Sequence, residues 1–316
     1  MIRYAVIFLL FISVLDLPGK ELKVLMIGNS FSRSVYTFLP QLVNAEKKHK
    51  LHLTSAYIGD CSLEMHYDHL VKAEKNNAHK PYKMSAWDSA ENPPGSKKSL
   101  DFPGNVNELV KKNQYDIITI QQRSVTSIDF ASYEPYAGKI ISYLRKYQKN
   151  AEIVIQQTWA YRYDARRYSV WKFGQEGMYE KLKTAYHALA EKYKLRVIPM
   201  GDAVQIYRRE SLVKYKNPGT DSKYKEPELP PFDGEVVGYP QWRSGRKDGV
   251  RYRYIFHDKA HLNDRGEYMQ ALCWYAFLFG ENAGKVLFVP AGIKAKEAAF
   301  LKKCAQKAIK NYKQVK

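Results

Sequence analysis

Residues 23–32, with the sequence KVLMIGNSFS, decide the fold that we expect for this chain. The first six residues form a short apolar run that ends in glycine, a pattern typical of a strand buried in a parallel sheet. Ser30 follows this strand and precedes a helix predicted over Val35–Lys48. Ligands bind beyond the carboxyl ends of the strands in such sheets, so Ser30 is predicted to lie at the ligand-binding edge.

The rest of the chain alternates strand patterns with helix patterns. Further strands are predicted at Leu51–Ile58, Asp116–Ile120, Glu152–Gln156 and Arg196–Pro199. Helices are predicted at Ser62–Asn77, Tyr133–Lys149, Gly174–Lys194, Asp202–Tyr215, Asp264–Phe279 and Lys294–Lys313. Because right-handed crossovers join such elements into a sheet covered on both faces, the pattern predicts an α/β fold. We expect one flavodoxin-like three-layer α/β/α domain with a doubly wound parallel sheet, spanning residues 20–316.

Three segments interrupt this alternation and are rich in proline, glycine, aromatic and basic residues: Pro81–Pro103, Trp159–Phe173 and Lys216–Tyr254. The last is too long for an idle connection in a compact domain, so it is either a functional lid or disordered. We interpret residues 216–254 as an insertion. An ordered substrate-binding surface is favoured by its aromatic and basic side chains, which include Tyr239, Trp242, Arg243, Arg246, Arg251 and Arg253.

The composition favours a globular protein with a strong positive charge. Of the 316 residues 45% are hydrophobic, which excludes global disorder. Lysine and arginine number 51 against 32 acidic residues, a formal net charge of +19. Such a charge suits an anionic partner, although scattered basic residues can equally serve solubility. No zinc-finger spacing or RNA-binding signature is present, so no nucleic-acid partner is expected.

The first nineteen residues resemble a targeting segment. Arg3 precedes the apolar run Tyr4–Leu15, which Asp16, Pro18 and Gly19 then interrupt. The run is shorter than the roughly 20 apolar residues that a bilayer-spanning helix needs. We therefore expect a secreted or periplasmic protein without a stable membrane span, and an uncleaved interfacial anchor remains an alternative to a cleaved signal peptide.

Three cysteines, Cys61, Cys273 and Cys304, are too few for a framework of disulfide bridges. Their spacing with histidine matches no metal site. We expect three free or buried thiols, and the sequence implies neither a metal nor a cofactor.

Two short motifs carry residues suited to acyl transfer. A serine between a buried strand and a helix lies near backbone N–H donors that suit an oxyanion. Asp258 and His261 are three residues apart, so the carboxylate can orient an imidazole whose other nitrogen faces a nucleophile. Each motif has a structural alternative, since Ser30 could cap a helix and the Asp/His pair could cap the next one.

Together the motifs resemble those of the SGNH (GDSL-like) hydrolase superfamily. Gly28-Asn29-Ser30 stands where the family has Gly-Asp-Ser, and Asp258-Lys259-Ala260-His261 matches its Asp-x-x-His. Asn29 in place of aspartate is a departure that is found in a branch with G-C-S-L-x-x-H and H-L-N motifs. Residues 58–66, IGDCSLEMH, are similar to the first of these motifs, with Asp60 where the branch more often has a second glycine.

The resemblance implies a serine esterase with Ser30 as nucleophile, His261 as base and Asp258 as its orienting carboxylate. The backbone N–H groups of Ser30 and Gly59 would form the oxyanion hole. Gln121 would be the third donor, with Gln122 as second choice, because a glutamine amide can donate as the usual asparagine does. Alternatively, the two glutamines only satisfy nearby backbone groups.

The expected substrate is an ester, and an acylated carbohydrate suits the export signal and the basic surface best. We expect removal of O-acetyl groups from a carbohydrate, with an anionic polysaccharide as one candidate and with Trp159, Trp242 and Arg243 as substrate-binding residues. A lipid or general carboxylesterase is one alternative. A catalytically silent glycan-binding protein on the same fold is an alternative from another class.

Overall fold

A computed structural model describes residues 18–91 and 100–314 of the chain. The predicted targeting segment falls almost entirely outside the described residues. A central sheet has the strand order β4-β3-β2-β1-β5-β6-β7. Its strands are β1 (Glu21–Gly28), β2 (Lys50–Tyr57), β3 (Tyr82–Asp88), β4 (Leu100–Gly104), β5 (Ile117–Ile120), β6 (Glu152–Gln156) and β7 (Arg196–Ile198).

The five predicted strands form the parallel part of this sheet, and the α/β prediction is confirmed. β1 lies between β2 and β5, and β6 and β7 continue the parallel pairing on the β5 side. From β1 the chain runs outward through β2, β3 and β4, and after β4 it crosses back to place β5 on the other side of β1. The carboxyl ends of β1 and β5 therefore flank a topological switch point, where ligands bind in open α/β sheets.

Two further strands, which the sequence pattern does not predict, make the sheet mixed rather than parallel throughout. β3 pairs antiparallel with β2, and β4 pairs antiparallel with β3 at the edge of the sheet. Their segment was predicted to be irregular because it contains prolines and a glycine. Pro103 lies in β4, an edge strand, which is the kind of strand in which a proline is tolerated within a sheet.

Helices cover the sheet and form two packed groups. In chain order they are α1 (Ser30–Arg33), α2 (Val35–Glu46), α3 (Leu63–Lys75), α4 (Val106–Lys112), α5 (Tyr136–Tyr147), α6 (Arg167–Trp171), α7 (Gln175–Tyr193), α8 (Met200–Glu210), α9 (Asp264–Phe279) and α10 (Ala295–Asn311). In one group, α2, α8 and α10 each contact α9. In the other, α3, α4 and α5 pack against one another. This arrangement gives the three-layer architecture that the alternating pattern predicts.

The second half of the predicted insertion forms an ordered hairpin. β8 (Pro240–Lys247) and β9 (Val250–His257) pair antiparallel and form a separate two-stranded sheet. Asp248 and Gly249 connect them with positive φ angles of 51° and 77°, as a two-residue hairpin turn requires. The hairpin leads directly into the Asp258–His261 segment.

The three cysteines are unpaired and buried, as predicted. Within residues 18–91 and 100–314, none of the helices is both long enough and apolar enough to cross a membrane.

A buried ion pair joins α8 to the loop before the hairpin. The Arg208 guanidinium lies 3.0 Å from the Glu235 carboxylate, and both side chains are less than a tenth exposed. Glu235→Ala is therefore expected to lower the free energy of unfolding by about 3–5 kcal/mol, because it leaves a buried guanidinium unpaired. Urea unfolding would measure this loss. The matched control Glu226→Ala breaks the exposed pair with Arg253 and should cost less than about 1 kcal/mol; similar losses in both variants would contradict the prediction.

Candidate active site

Three polar side chains from opposite ends of the chain meet at the carboxyl edge of the sheet. Ser30 Oγ lies 2.8 Å from His261 Nε2, and His261 Nδ1 lies 2.8 Å from Asp258 Oδ2. Ser30 follows β1, and the other two lie between β9 and α9. The arrangement forms a continuous chain of hydrogen bonds from a carboxylate through an imidazole to a hydroxyl.

Asp258 is fixed by its own loop. Its Oδ1 accepts hydrogen bonds of 2.8 Å from the backbone N–H groups of Ala260 and His261. Burial raises the pKa of Asp258, but the hydrogen bonds from the His261 side chain and these N–H groups outweigh it and hold that pKa below its usual value. An ionised Asp258 only accepts hydrogen bonds, so the hydrogen of the neutral imidazole lies on Nδ1 and the Nε2 lone pair faces Ser30.

Close packing around Gly28 and the hydrogen bonds of Asn29 explain why these two residues precede Ser30. A Cβ at position 28 would lie 2.5 Å from Ser32 Oγ and 3.2 Å from Gln121 Cδ, so only glycine fits there. The Asn29 side chain accepts from Phe31 N–H and donates to Cys61 C=O, at 3.1 and 3.0 Å. Asn29 thus caps α1 and ties it to the segment after β2.

Phe31, which follows Ser30 in α1, contacts β6, the segment after β6 and α9. Phe31 C=O accepts from the amides of Gln156 and Gln270, at 2.7 and 2.9 Å. Its ring stacks on Trp159 with centroids 4.4 Å apart, and the Trp159 indole N–H donates to Ala260 C=O at 2.8 Å. The loop Asp258–His261 is referred to below as the histidine loop. The same buried aromatic pair, Phe31 and Trp159, therefore holds both this loop and Ser30 in place.

The backbone of the histidine loop is held from two further sides. Tyr239 and Asp258 exchange backbone hydrogen bonds of 3.2 and 2.9 Å. Arg162 N–H donates to Lys259 C=O at 2.8 Å. The irregular segment after Trp159 and the part of the predicted insertion just before β8 thus both position the loop that carries His261.

Two clefts open beside Ser30 and His261. The larger, with a volume of about 430 Å³, is referred to below as the basic cleft, and its lining includes Asp60, Tyr161, Arg166, Arg167, Phe256 and Lys259. The smaller, about 370 Å³, is lined by residues that include Arg33, Tyr36, Tyr239 and Leu262. Both volumes lie in the range of about 300–1,000 Å³ that is usual for small-molecule sites. A substrate at Ser30 could extend into either cleft.

Ser30 and Gly59 both have free backbone N–H groups. Within the part of the chain that the structure describes, neither group donates a hydrogen bond to a protein acceptor. Gly59 is exposed, in the turn after β2. The next residue, Asp60, has a positive φ of 54°, which explains why a glycine is common at this position in the similar branch.

Gln121 and Gln122 are buried, and their amides have protein partners. Gln121 donates to Asn29 Oδ1 and accepts from the Gln156 amide. Gln122 donates to Ser132 C=O and accepts from the Leu63 and Arg123 N–H groups. Neither glutamine lines the basic cleft.

The predicted substrate-binding residues lie in different places. Trp159 has no exposed surface, although its ring borders the smaller cleft. Trp242 and Arg243 belong to β8 and line neither cleft. The Trp242 indole donates to Glu228 C=O, and the Arg243 guanidinium lies 3.6 Å from the ring centre of Phe256, which does line the basic cleft.

Sequence reasoning missed Arg166 and Arg167 as lining residues. They belong to the segment Trp159–Phe173, which the sequence marks as irregular and rich in aromatic and basic residues. That composition is the sequence signal that could have indicated a role in the cleft. Three or more histidine, cysteine or acidic side chains grouped as metal ligands do not occur within the described residues. Burial raises the pKa of the nearby Cys61 thiol to about 12, so this thiol stays protonated near neutral pH and is a poor nucleophile.

Comparisons with known proteins address the family and the fold. No curated protein sequence matches the chain. The crystal structure of a DUF4886 family protein from Bacteroides uniformis ATCC 8492 is similar, with a TM-score of 0.71 and 24% identity over 92% of this chain and 95% of that chain. Acetyl xylan esterase AlAXEase is a more distant neighbour, with a TM-score of 0.44 and 14% identity over 81% of this chain and 99% of that chain. A likeness at that level carries no conclusion about activity.

A match to one family extends over most of the described chain. Residues 23–229 match the family described as Domain of unknown function (DUF4886). The matched range contains Ser30 and Gly59, whereas Asp258 and His261 lie beyond it. The similar crystal structure from this family covers 92% of the chain, a larger share than the family match does. The chain therefore belongs to the DUF4886 family.

Proposed function

We propose that this protein is a serine esterase of the SGNH hydrolase type. The observation that carries the proposal is the hydrogen-bonded chain of Ser30, His261 and Asp258, with 2.8 Å between successive partners. A serine hydroxyl facing an imidazole that a carboxylate orients is the arrangement that activates a serine nucleophile. Its position at the topological switch point and beside two clefts suits a ligand.

The mechanism proceeds through an acyl-enzyme. His261 Nε2 accepts the proton of Ser30 as Oγ attacks the ester carbonyl, and Asp258 stabilises the imidazolium that forms. The imidazolium then gives its proton to the leaving alcohol. Water, deprotonated by His261, attacks the acyl group on Ser30, and the return of the proton to Oγ frees the enzyme.

The tetrahedral oxyanion would be stabilised by the backbone N–H groups of Ser30 and Gly59. Both are free of protein acceptors among the described residues, and the first lies at the start of α1. We propose that Gln121 contributes through Asn29, because its amide nitrogen already donates to the Asn29 side chain. Asn29 in turn holds α1 and the Cys61 backbone together.

We further propose that the substrate is an O-acetylated carbohydrate and that the glycan carries negative charge. Support comes from the net charge of +19 and from the basic and aromatic lining of the larger cleft. The apolar run Tyr4–Leu15, outside the described residues, supports export of the protein from the cytoplasm.

A short-chain p-nitrophenyl ester tests the proposed function most directly. Purified protein covering residues 20–316 is expected to release p-nitrophenol, with a faster first turnover if the acyl-enzyme accumulates. Activity should be highest on the acetyl ester and fall as the acyl chain lengthens, because acetyl is the acyl group that the proposed substrate would transfer to Ser30. Failure to hydrolyse any such ester or any acetylated glycan would contradict the proposal.

Gln121→Ala separates a supporting role from direct oxyanion stabilisation. Because Gln121 is buried and bonded at both amide atoms, we expect a loss of unfolding free energy of about 1–3 kcal/mol. We also expect a smaller reduction in kcat than the roughly 10²–10³-fold loss typical of a missing oxyanion donor. Urea unfolding and steady-state kinetics measure the two effects. A 10²–10³-fold loss of kcat with unchanged stability would instead show that the amide donates to the oxyanion.

A further inference from the structure

The charged side chains of the basic cleft differ in whether an opposite charge neutralises them. The Lys259 ammonium lies 3.2 Å from the Asp164 carboxylate. Asp60 forms a two-bond ion pair with Arg123, with 2.7 Å between its Oδ1 and the arginine Nε. These pairs leave little net charge on that part of the lining.

Arg166 and Arg167 have no such neutralising partner. Both side chains are exposed and line the basic cleft together with Ser30 and His261. Within the described ranges no carboxylate lies within ion-pair distance of either guanidinium. The Arg167 guanidinium lies over the face of Trp171, 5.9 Å from its ring centre.

The backbone that carries Arg166 and Arg167 is held in place by hydrogen bonds within residues 161–168. The Tyr168 hydroxyl, which is buried, donates to Tyr161 C=O at 2.8 Å, and Ala165 N–H donates to Arg162 C=O at 3.0 Å. Arg162 is fully buried and holds Lys259 of the histidine loop through its own N–H. Arg166 and Arg167 therefore lie on a segment that is hydrogen-bonded to the histidine loop.

We propose that Arg166 and Arg167 form an anion subsite that selects ester substrates with a carboxylate. This proposal rests on the proposed function, and because an acetyl group has no charge, the anion would lie on the carbohydrate. A uronic acid residue fits the chemistry: guanidinium groups bind carboxylates with paired, charge-assisted hydrogen bonds. Phe256 and the largely buried Tyr161 add aromatic residues to the lining of the same cleft.

Two O-acetylated probes that differ only in charge test the subsite. One is an O-acetylated methyl glucuronoside, and the other is the corresponding glucuronamide, which is neutral. For the unaltered protein, kcat/KM is expected to be about tenfold or more higher on the glucuronoside, as charge-assisted hydrogen bonds to a carboxylate would produce. In the double variant Arg166→Gln/Arg167→Gln, the ratio of the two kcat/KM values should fall close to one.

A matched control removes the same charge elsewhere. Lys296→Gln/Lys310→Gln takes two positive charges from the exposed face of α10, far in sequence from the cleft-lining residues. This variant should keep the preference for the glucuronoside. Loss of the preference in the control as well would show that net charge alone attracts the substrate and would overturn the subsite.

A binding measurement distinguishes failure of the subsite from failure of the esterase. Calorimetry with the Ser30→Ala variant compares the affinities for the two probes without turnover. Stronger binding of the glucuronoside that depends on the two arginines, with no hydrolysis by the unaltered protein, would support the subsite and contradict the esterase. Hydrolysis of both probes with equal kcat/KM and equal affinity would support the esterase and overturn the subsite.

Discussion

Ser30→Ala is expected to lower kcat for a short-chain ester by about 10⁶-fold, the size of loss seen when a serine nucleophile of this kind is removed. The alanine lacks the oxygen that would attack the carbonyl and become acylated. No burst of p-nitrophenol should remain, and mass spectrometry should find no acylated peptide around residue 30. The fold should be retained, since Ser30 Oγ has His261 as its hydrogen-bond partner and does not support the backbone.

Ser124→Ala provides the matched control for this variant. Ser124 also lines the basic cleft, but its hydroxyl bonds to Tyr161 OH at 2.7 Å and not to His261. Its loss should change kcat by less than about tenfold, as expected for a residue outside the reacting chain. Full activity of the Ser30→Ala variant would contradict the proposal that Ser30 is the nucleophile.

Asp258→Asn should reduce kcat by about 10⁴-fold while leaving the geometry of the loop intact. The asparagine oxygen can still accept from the Ala260 and His261 N–H groups, as Asp258 Oδ1 does. Its NH₂ group would then face His261 Nδ1 and donate to it. The imidazole hydrogen would move to Nε2, where the ring can no longer accept the proton of Ser30.

A second histidine in the same segment supplies the control. His257 Nε2 lies 2.8 Å from Asp221, so Asp221→Asn changes a similar pair that does not reach Ser30. We expect this variant to keep kcat within about tenfold of the unaltered protein. If Asp221→Asn lost activity and Asp258→Asn kept it, the base would be His257 and the assignment of His261 would be wrong.

The parallel strands were predictable because burial on both faces leaves a direct mark on the sequence. β1, β5 and β6 each contain at least four consecutive buried, mostly apolar residues. The helix after the histidine loop runs from Asp264 to Phe279, as predicted. The Asn263 side chain caps that helix by accepting from Gly266 N–H, and Gly280 ends it with a positive φ. Such local signals need no knowledge of distant contacts.

The antiparallel edge of the sheet was not predictable in the same way. β3 alternates buried and exposed residues only in part, and β4 contains a proline and a glycine. Its role depends on pairing with β3, which sequence patterns do not specify. Edge position, rather than composition, makes those residues acceptable in a strand.

The candidate site shows the same limit. Ser30 comes just after β1, so the strand pattern alone predicts that it lies at the carboxyl edge of the sheet. The partners of Gln121 and the lining role of Arg166 depend on which loops lie opposite them. Trp159, which the sequence suggests as a substrate contact, has its ring covered by Phe31 and its indole N–H bonded to Ala260. Burial of a loop residue is set by tertiary contacts that a single sequence leaves open.

The separation of Ser30 and His261 by 231 positions has a consequence for biosynthesis. During translation the serine emerges early, whereas the histidine and the helix that follows it appear only near the end of the chain. At about 5–20 residues per second, a ribosome needs roughly 10–50 seconds to make the segment between them. If Ser30 is the nucleophile as proposed, a nascent chain carries an unactivated serine hydroxyl for most of its synthesis, because the histidine that would activate it is made only near the end.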